Sequence, residues 1–169
     1  MRHAIAIISW AIVAWMCKVF LFSLPYKFSG HPDTQHIFGT IGEWLKGFLG
    51  DGIGGLFVKF GAYGVGSFEL LTSIVLLLPI AIWLIRTVRK QPMGNTRRKF
   101  HRIGGLMASA VMAGAVFFHL VSPLGIEVLH EGKSDGGSLF YAALSILVLG
   151  IVLFAINRNV THDPAHAHS

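Results

Sequence analysis

Four long apolar runs constrain this chain more than any other feature. They cover roughly 4–24, 62–85, 103–122 and 138–157. Each holds about 20 residues, which as a helix rising 1.5 Å per residue matches a hydrocarbon core roughly 30 Å thick. Backbone polar groups inside such a core must pair within their own segment, so each run is expected to be a helix. The predicted fold is an all-α integral membrane protein, a four-transmembrane-helix bundle. The spans and their loops use up residues 1–160, which leaves no separate soluble domain, and 161–169 form a polar tail. Only 13% of the 169 residues are charged, about half the fraction of an ordinary soluble domain.

The first run is long for a signal-peptide core and no small-x-small cleavage pattern follows it, so it is read as a permanent span. The one cysteine, Cys17, excludes an internal disulfide and is expected to be an inert packing residue.

The placement of charge sets the expected topology. Arg2, Arg86, Arg89, Lys90, Arg97, Arg98, Lys99, Arg102 and Arg158 fall on one side of a four-span arrangement, and Lys27, Lys46, Lys59 and Lys133 on the other. Short loops rich in Lys and Arg stay cytoplasmic, so both termini are expected on the cytoplasmic side, with 25–61 and 123–137 outside. The run Arg97-Arg98-Lys99 lies between two spans. It is read as a topology signal that meets anionic lipid, not as a nucleic-acid site. His162, His166 and His168 belong to the tail, which is expected to be flexible.

The long outer loop starts at Leu24-Pro25, where proline is expected to end the first span. His31-Pro32-Asp33-Thr34 reads as a turn, with Asp33 or Thr34 as helix cap. Ile37, Phe38, Ile41, Trp44, Leu45, Phe48 and Leu49 then recur at helical spacing, predicting an amphipathic helix over about 35–49 that Gly50 stops. Such a helix suits an outer interface or a lid on the bundle. Closely spaced glycines follow. No strand precedes them and no Gly-Lys-Ser/Thr sequence occurs, so a phosphate loop is excluded. Pro79 predicts a kink in the second span, and Gly105, Ser109 and Ala113 a close helix approach in the third. Ser145 and Gly150 are the expected contact points of the fourth.

Three ionisable residues are buried in the apolar runs: Lys18, Glu69 and His119. Each lies about 16–17 residues from an arginine at the cytoplasmic edge, which places all three in one layer roughly 24–26 Å above it. Charges at such depths usually face a bundle interior or a wet cavity. Lys18 and His119 are the expected partners of Glu69. Two readings stay open: an ion pair that fixes helix register, or a polar pocket for proton or quinone chemistry. Lys27, Glu127, His130, Glu131 and Asp135 gather just above. Phe117, Phe118, Tyr26 and Tyr141 are near enough to wall a flat aromatic ligand.

Haem held by two histidines would need a second His at the depth of His119, and His101 is about 27 Å away along the same run. No close His/Cys/Asp/Glu cluster lies within a span to hold a metal, and no nucleophile elbow is present. A permease of four spans without inverted halves would have to work as an oligomer.

Phe20-Leu21-Phe22 closes the first span, Tyr26-Lys27-Phe28-Ser29-Gly30 follows, and Gly64-Val65-Gly66-Ser67-Phe68-Glu69-Leu70-Leu71 opens the second before an aliphatic run. In these three features the chain resembles the DoxX-like family of small bacterial membrane proteins. Thr72-Ser73 stand where the family pattern often has glycines. The resemblance implies four membrane helices and a redox association, some members being similar to the membrane subunit of a thiosulfate:quinone oxidoreductase. It implies roles for Lys27 and Glu69. The expected function is therefore a quinone-linked redox subunit or accessory. Glu69, His119 and Lys18 would be its proton-handling residues, and Lys27, Glu127, Asp135, Phe118 and Tyr141 would line the site. Its partners would be the bilayer and another redox subunit or further copies of the chain. The alternative is a non-catalytic scaffold or assembly factor for a membrane complex.

Overall fold

Buried positions recur every three or four residues along each apolar run, so each folds as a helix with one inward stripe. The computed structural model describes residues 2–92 and 94–158; the histidine-containing tail lies outside them. Helix α1 spans Arg2–Ser29, α2 Pro32–Val88, α3 Thr96–Val121 and α4 Ser138–Ile156. All four are long and apolar enough to cross a membrane, as a multi-pass membrane protein requires. A two-stranded turn, β1 (Leu129–His130) against β2 (Lys133–Ser134), lies between α3 and α4.

The helices run alternately up and down, and each packs on its neighbours in the order α1, α2, α3, α4 and back to α1. The α1 stripe is Ser9, Ile12, Val13, Met16, Cys17, Phe20 and Leu24. It meets Leu76 of α2, Ala108 and Met112 of α3, and Ala143, Ile146 and Leu153 of α4 in the principal core. The end bearing the α1–α2 and α3–α4 connections is called the loop end here. The end bearing Arg2 and Arg158 is the terminal end.

Near the terminal end the helices approach closely because glycines face each other. A Cβ on Gly150 would meet the Gly105 carbonyl at 2.6 Å and clash with Ser109 Oγ. Ser109 Oγ in turn donates to the Leu147 carbonyl at 2.9 Å. Gly105 and Ser109 thus form the α3–α4 crossing, whereas Ala113 is exposed. Ser145 also makes contact, accepting the Trp15 indole N–H at 3.0 Å.

Three local expectations change. Proline does not end the first helix: Pro25 lies inside α1, which continues to Ser29. One lost i→i−4 bond is tolerated in an apolar helix, and Gly30, at φ +68°, makes the stop. The cap of α2 is neither Asp33 nor Thr34 but His31, whose Nδ1 accepts the Asp33 backbone N–H at 3.3 Å. Helical dihedrals run through Pro79, and the one internal break in α2 is Gly50.

Gly50 takes φ 78° and ψ 167°, a conformation open to glycine alone. It divides α2 into two legs, 32–49 and 51–88. The legs fold back on each other: Gly42 faces Gly54 and Val58, Gly54 faces Lys46, and Phe38 faces Phe57 and Gly61. A Cβ on Gly54 would fall 2.7 Å from the Gly42 carbonyl, so two backbones touch there. Thr34, Phe38, Ile41 and Gly42 form the buried stripe of the first leg. Ile41 packs on Leu124 and Val128 of the α3–α4 connection.

Candidate functional site

At the loop end the first leg of α2 roofs a cavity of about 520 Å³. Its walls are mainly apolar: Phe22 from α1, Phe38, Ile41 and Phe57 from the α2 hairpin, Phe118 from α3 and Leu139 from α4. Polar groups enter from three helices: Ser23 and Lys27 from α1, Glu69 from α2 and His119 from α3. Phe22, Tyr26 and Leu139 line the cavity and are also exposed, so its mouth lies on the bundle flank between α1 and α4.

Glu69 is 3% exposed and lies 2.5 Å from Lys27 Nζ, itself 15% exposed. Ser23 Oγ donates to the same carboxylate oxygen at 2.9 Å and accepts from Lys27 at 2.8 Å. Local sequence explains the cluster. Ser23 and Lys27 are one helical turn apart on α1. Glu69 lies on the α2 stripe Gly66, Glu69, Thr72, Ser73, Leu76. A Cβ on Gly66 would lie 3.4 Å from the Lys27 side chain, so this glycine lets the lysine stem pass.

His119 is buried on the α3 stripe. Its Nδ1 lies 2.7 Å from the Gly125 carbonyl. A carbonyl can only accept, so Nδ1 carries the proton and Nε2 keeps the lone pair in the neutral ring. Phe140 meets the ring edge-on, with centroids 5.8 Å apart. Gly125, at φ +73°, turns the chain so that its carbonyl points back at the imidazole.

Of the expected site residues, the structure brings Glu69 and His119 of the layer, with Lys27 and Phe118, to one cavity. Lys18 does not join them. It is exposed, and its ammonium sits 5.7 Å from the Trp15 ring centroid. The amine partner of Glu69 is Lys27, nine positions further along α1. Equal distance from an arginine fixes height but not azimuth, and each residue turns the helix by about 100°. Lys18 falls off the buried stripe, whereas Ser23 and Lys27 continue it.

Three residues expected at the site support the connection instead. Asp135 accepts the backbone N–H groups of Val128, Gly137 and Leu139 at 2.8, 2.9 and 3.0 Å. Partial burial opposes its charge, but these N–H groups and the Ser138 hydroxyl outweigh that, and its carboxyl stays below the ordinary carboxylate range. Glu127 is exposed and accepts from Ser134 Oγ at 2.9 Å. Tyr141 is exposed and packs edge-on against Phe140, with centroids 5.4 Å apart. None of the three lines the cavity.

The rim holds a cluster that height counting did not show. Asp33 lines the cavity and lies 2.8 Å from His130 Nδ1, and His36 stacks on His130 with centroids 4.5 Å apart. This joins the α2 roof to the β1–β2 turn. The hydrogen bond from His130 holds the Asp33 carboxyl below its ordinary range. Among the described residues no three His, Cys, Asp or Glu side chains are placed to hold a metal ion. The chain matches no family model, no curated protein and no solved structure in comparisons with all three.

Proposed function

We propose that this chain is a DoxX-like, quinone-linked redox subunit or accessory of a bacterial inner membrane, with both termini cytoplasmic. One observation supports the reading above all. A largely apolar cavity of about 520 Å³, open on the flank of a helical bundle, is lined by an ion-paired carboxylate and a histidine from different helices. A quinone has a flat head with two carbonyl oxygens and a long apolar tail. The flank mouth suits the tail, and Phe118 and Phe57, 5.5 Å apart, suit the head. Reducing the head takes up two electrons and two protons. A partner redox subunit would handle the electrons. Glu69 and the Nε2 of His119 would exchange the protons, and Lys27 would hold Glu69 as its charge changes. The arginine-rich terminal end supports the proposed orientation.

The test is Glu69→Gln, which keeps the size of the side chain and one acceptor oxygen but removes the proton-exchanging carboxyl. Membranes containing this variant and its redox partner are expected to lose quinone-dependent turnover, while the purified protein elutes and unfolds as a folded species. Full turnover in folded Glu69→Gln would remove the proposal.

A second reading, a non-catalytic assembly protein, draws on the hairpin tip. Phe48, Leu49, Ile53 and Leu56 around Gly50 are all at least half exposed, an apolar end available to a partner. Gly105 and Ser109 are consumed in the α3–α4 crossing and offer no such surface. Co-purification of a stoichiometric membrane partner that Phe48→Ser releases, with no quinone bound, would favour this second reading.

A further inference from the structure

Next to Lys27 a second hollow of about 320 Å³ opens between the end of α1 and the two legs of α2. Lys27, Thr34 and Phe38 line both spaces. The hollow also takes Gln35, Lys59 and Tyr63 into its wall, and no acidic residue. We propose that this hollow binds a phosphate group.

Four observations carry the assignment. Lys59 has no carboxylate partner among the described residues; its ammonium lies 5.1 Å from the Phe60 ring centroid, and its charge is uncompensated at the wall. Lys27 uses two of its three N–H donors, on Ser23 and Glu69, and has one left. Thr34, a residue 7% exposed, lines the hollow, and its hydroxyl makes no hydrogen bond to the described residues and stays open to solvent. The Tyr63 hydroxyl is likewise unbonded among the described residues, its ring meeting only Phe28.

Several donor-bearing residues lining one hollow suit a group with three or four acceptor oxygens, and charge-assisted bonds to an anion are the stronger kind. Phosphate chemistry is available to a membrane protein from two sources, a phospholipid headgroup and the free ion. The assignment does not depend on quinone binding.

The test uses the full chain in dodecyl maltoside, which carries no phosphate. Inorganic phosphate and dioctanoyl phosphatidic acid are titrated separately, and saturable binding is read from thermal unfolding and native mass spectrometry. At least one is expected to bind saturably, with affinity about tenfold weaker in Lys59→Gln, the loss of one charge-assisted bond. Phosphatidic acid binding at least tenfold tighter than phosphate identifies a headgroup site; equal affinities identify a site for the free ion. No saturable binding of either probe, or equal binding by Lys59→Gln, overturns the proposal. Should Lys59→Gln fail to fold, Tyr63→Phe is judged by the same criterion.

Discussion

Lys27, Ser23 and Glu69 share three hydrogen bonds at the loop end, beside a cavity. At the terminal end the helices close on one another and a titratable side chain is stranded. Asn157 there donates to Ser9 Oγ at 3.1 Å and to the Leu153 carbonyl at 2.9 Å, and accepts from Arg97 at 3.2 Å. His101, with 0% exposure, has neither ring nitrogen bonded among the described residues. Both ends bury polar side chains on helix stripes. The difference is room. Where the first leg of α2 roofs the loop end a cavity is left, and Lys27 pairs with Glu69 beside it. Where glycines let α3 and α4 touch, no polar partner fits beside the imidazole.

The sharpest way to break this contrast is to remove Lys27. Lys27→Met keeps the stem but leaves Glu69, 3% exposed, without its counter-charge. Breaking a buried pair from one side costs about 3–5 kcal/mol. The thermal midpoint of the purified protein is expected to fall accordingly, and Lys27→Met/Glu69→Gln to recover most of the loss. Recovery isolates the stranded charge as the cause. Equal destabilisation in both variants would mean that packing of the stem dominates. Glu69→Gln alone is expected to cost less, because Lys27 also borders the second hollow and can turn its ammonium there.

Gly150→Ala tests the other end. The new Cβ would meet backbone, the Gly105 carbonyl at 2.6 Å, and backbone cannot rotate away. Overpacking of this kind costs about 1–3 kcal/mol. Gly114→Ala is its control on the cavity wall, with nothing within 4 Å of the added Cβ, and its unfolding midpoint is expected to stay near that of the parent. Similar losses in both would show that the loop end is as tightly packed as the terminal end.

Much of this arrangement was legible in the chain, and the rest was hidden for identifiable reasons. The apolar runs marked four helices because length and hydropathy are local properties. Glu69 and His119 reached one cavity as height counting suggested, and Gly50 broke α2 where the periodicity ended. Lys18 misled because height was counted without azimuth. The stripe Val13, Met16, Phe20, Ser23, Lys27 on α1 was readable and would have favoured Lys27. Asp135 looked like a site residue because its type was right. Its work is to hold three N–H groups of its own loop, and that choice depends on loop geometry rather than composition. The antiparallel fold-back of α2 was the least legible feature. It depends on Gly42 meeting Gly54, a contact across a turn that no periodicity within either leg encodes.

His101 gives the smallest expected effect and the most discriminating sign. It lies on the α3 stripe with Gly104, Gly105, Ala108 and Met112, and Trp10 meets its ring at right angles with centroids 4.5 Å apart. An aromatic ring is therefore wanted at this place, whereas its nitrogens bond to nothing among the described residues. A buried polar atom without a partner costs about 1–3 kcal/mol, and replacing it by an apolar group of similar shape is near neutral or stabilising. His101→Phe keeps the edge-to-face contact and removes both nitrogens. Its slightly larger ring offsets part of the gain, so the unfolding free energy is expected to stay level or rise by about 1 kcal/mol. His101→Ala, which also removes the ring, is expected to lose stability through the space it leaves. Should His101→Phe fall as far as His101→Ala, the imidazole nitrogens would be holding a bond of their own. The two ends of the bundle would then handle buried polarity alike.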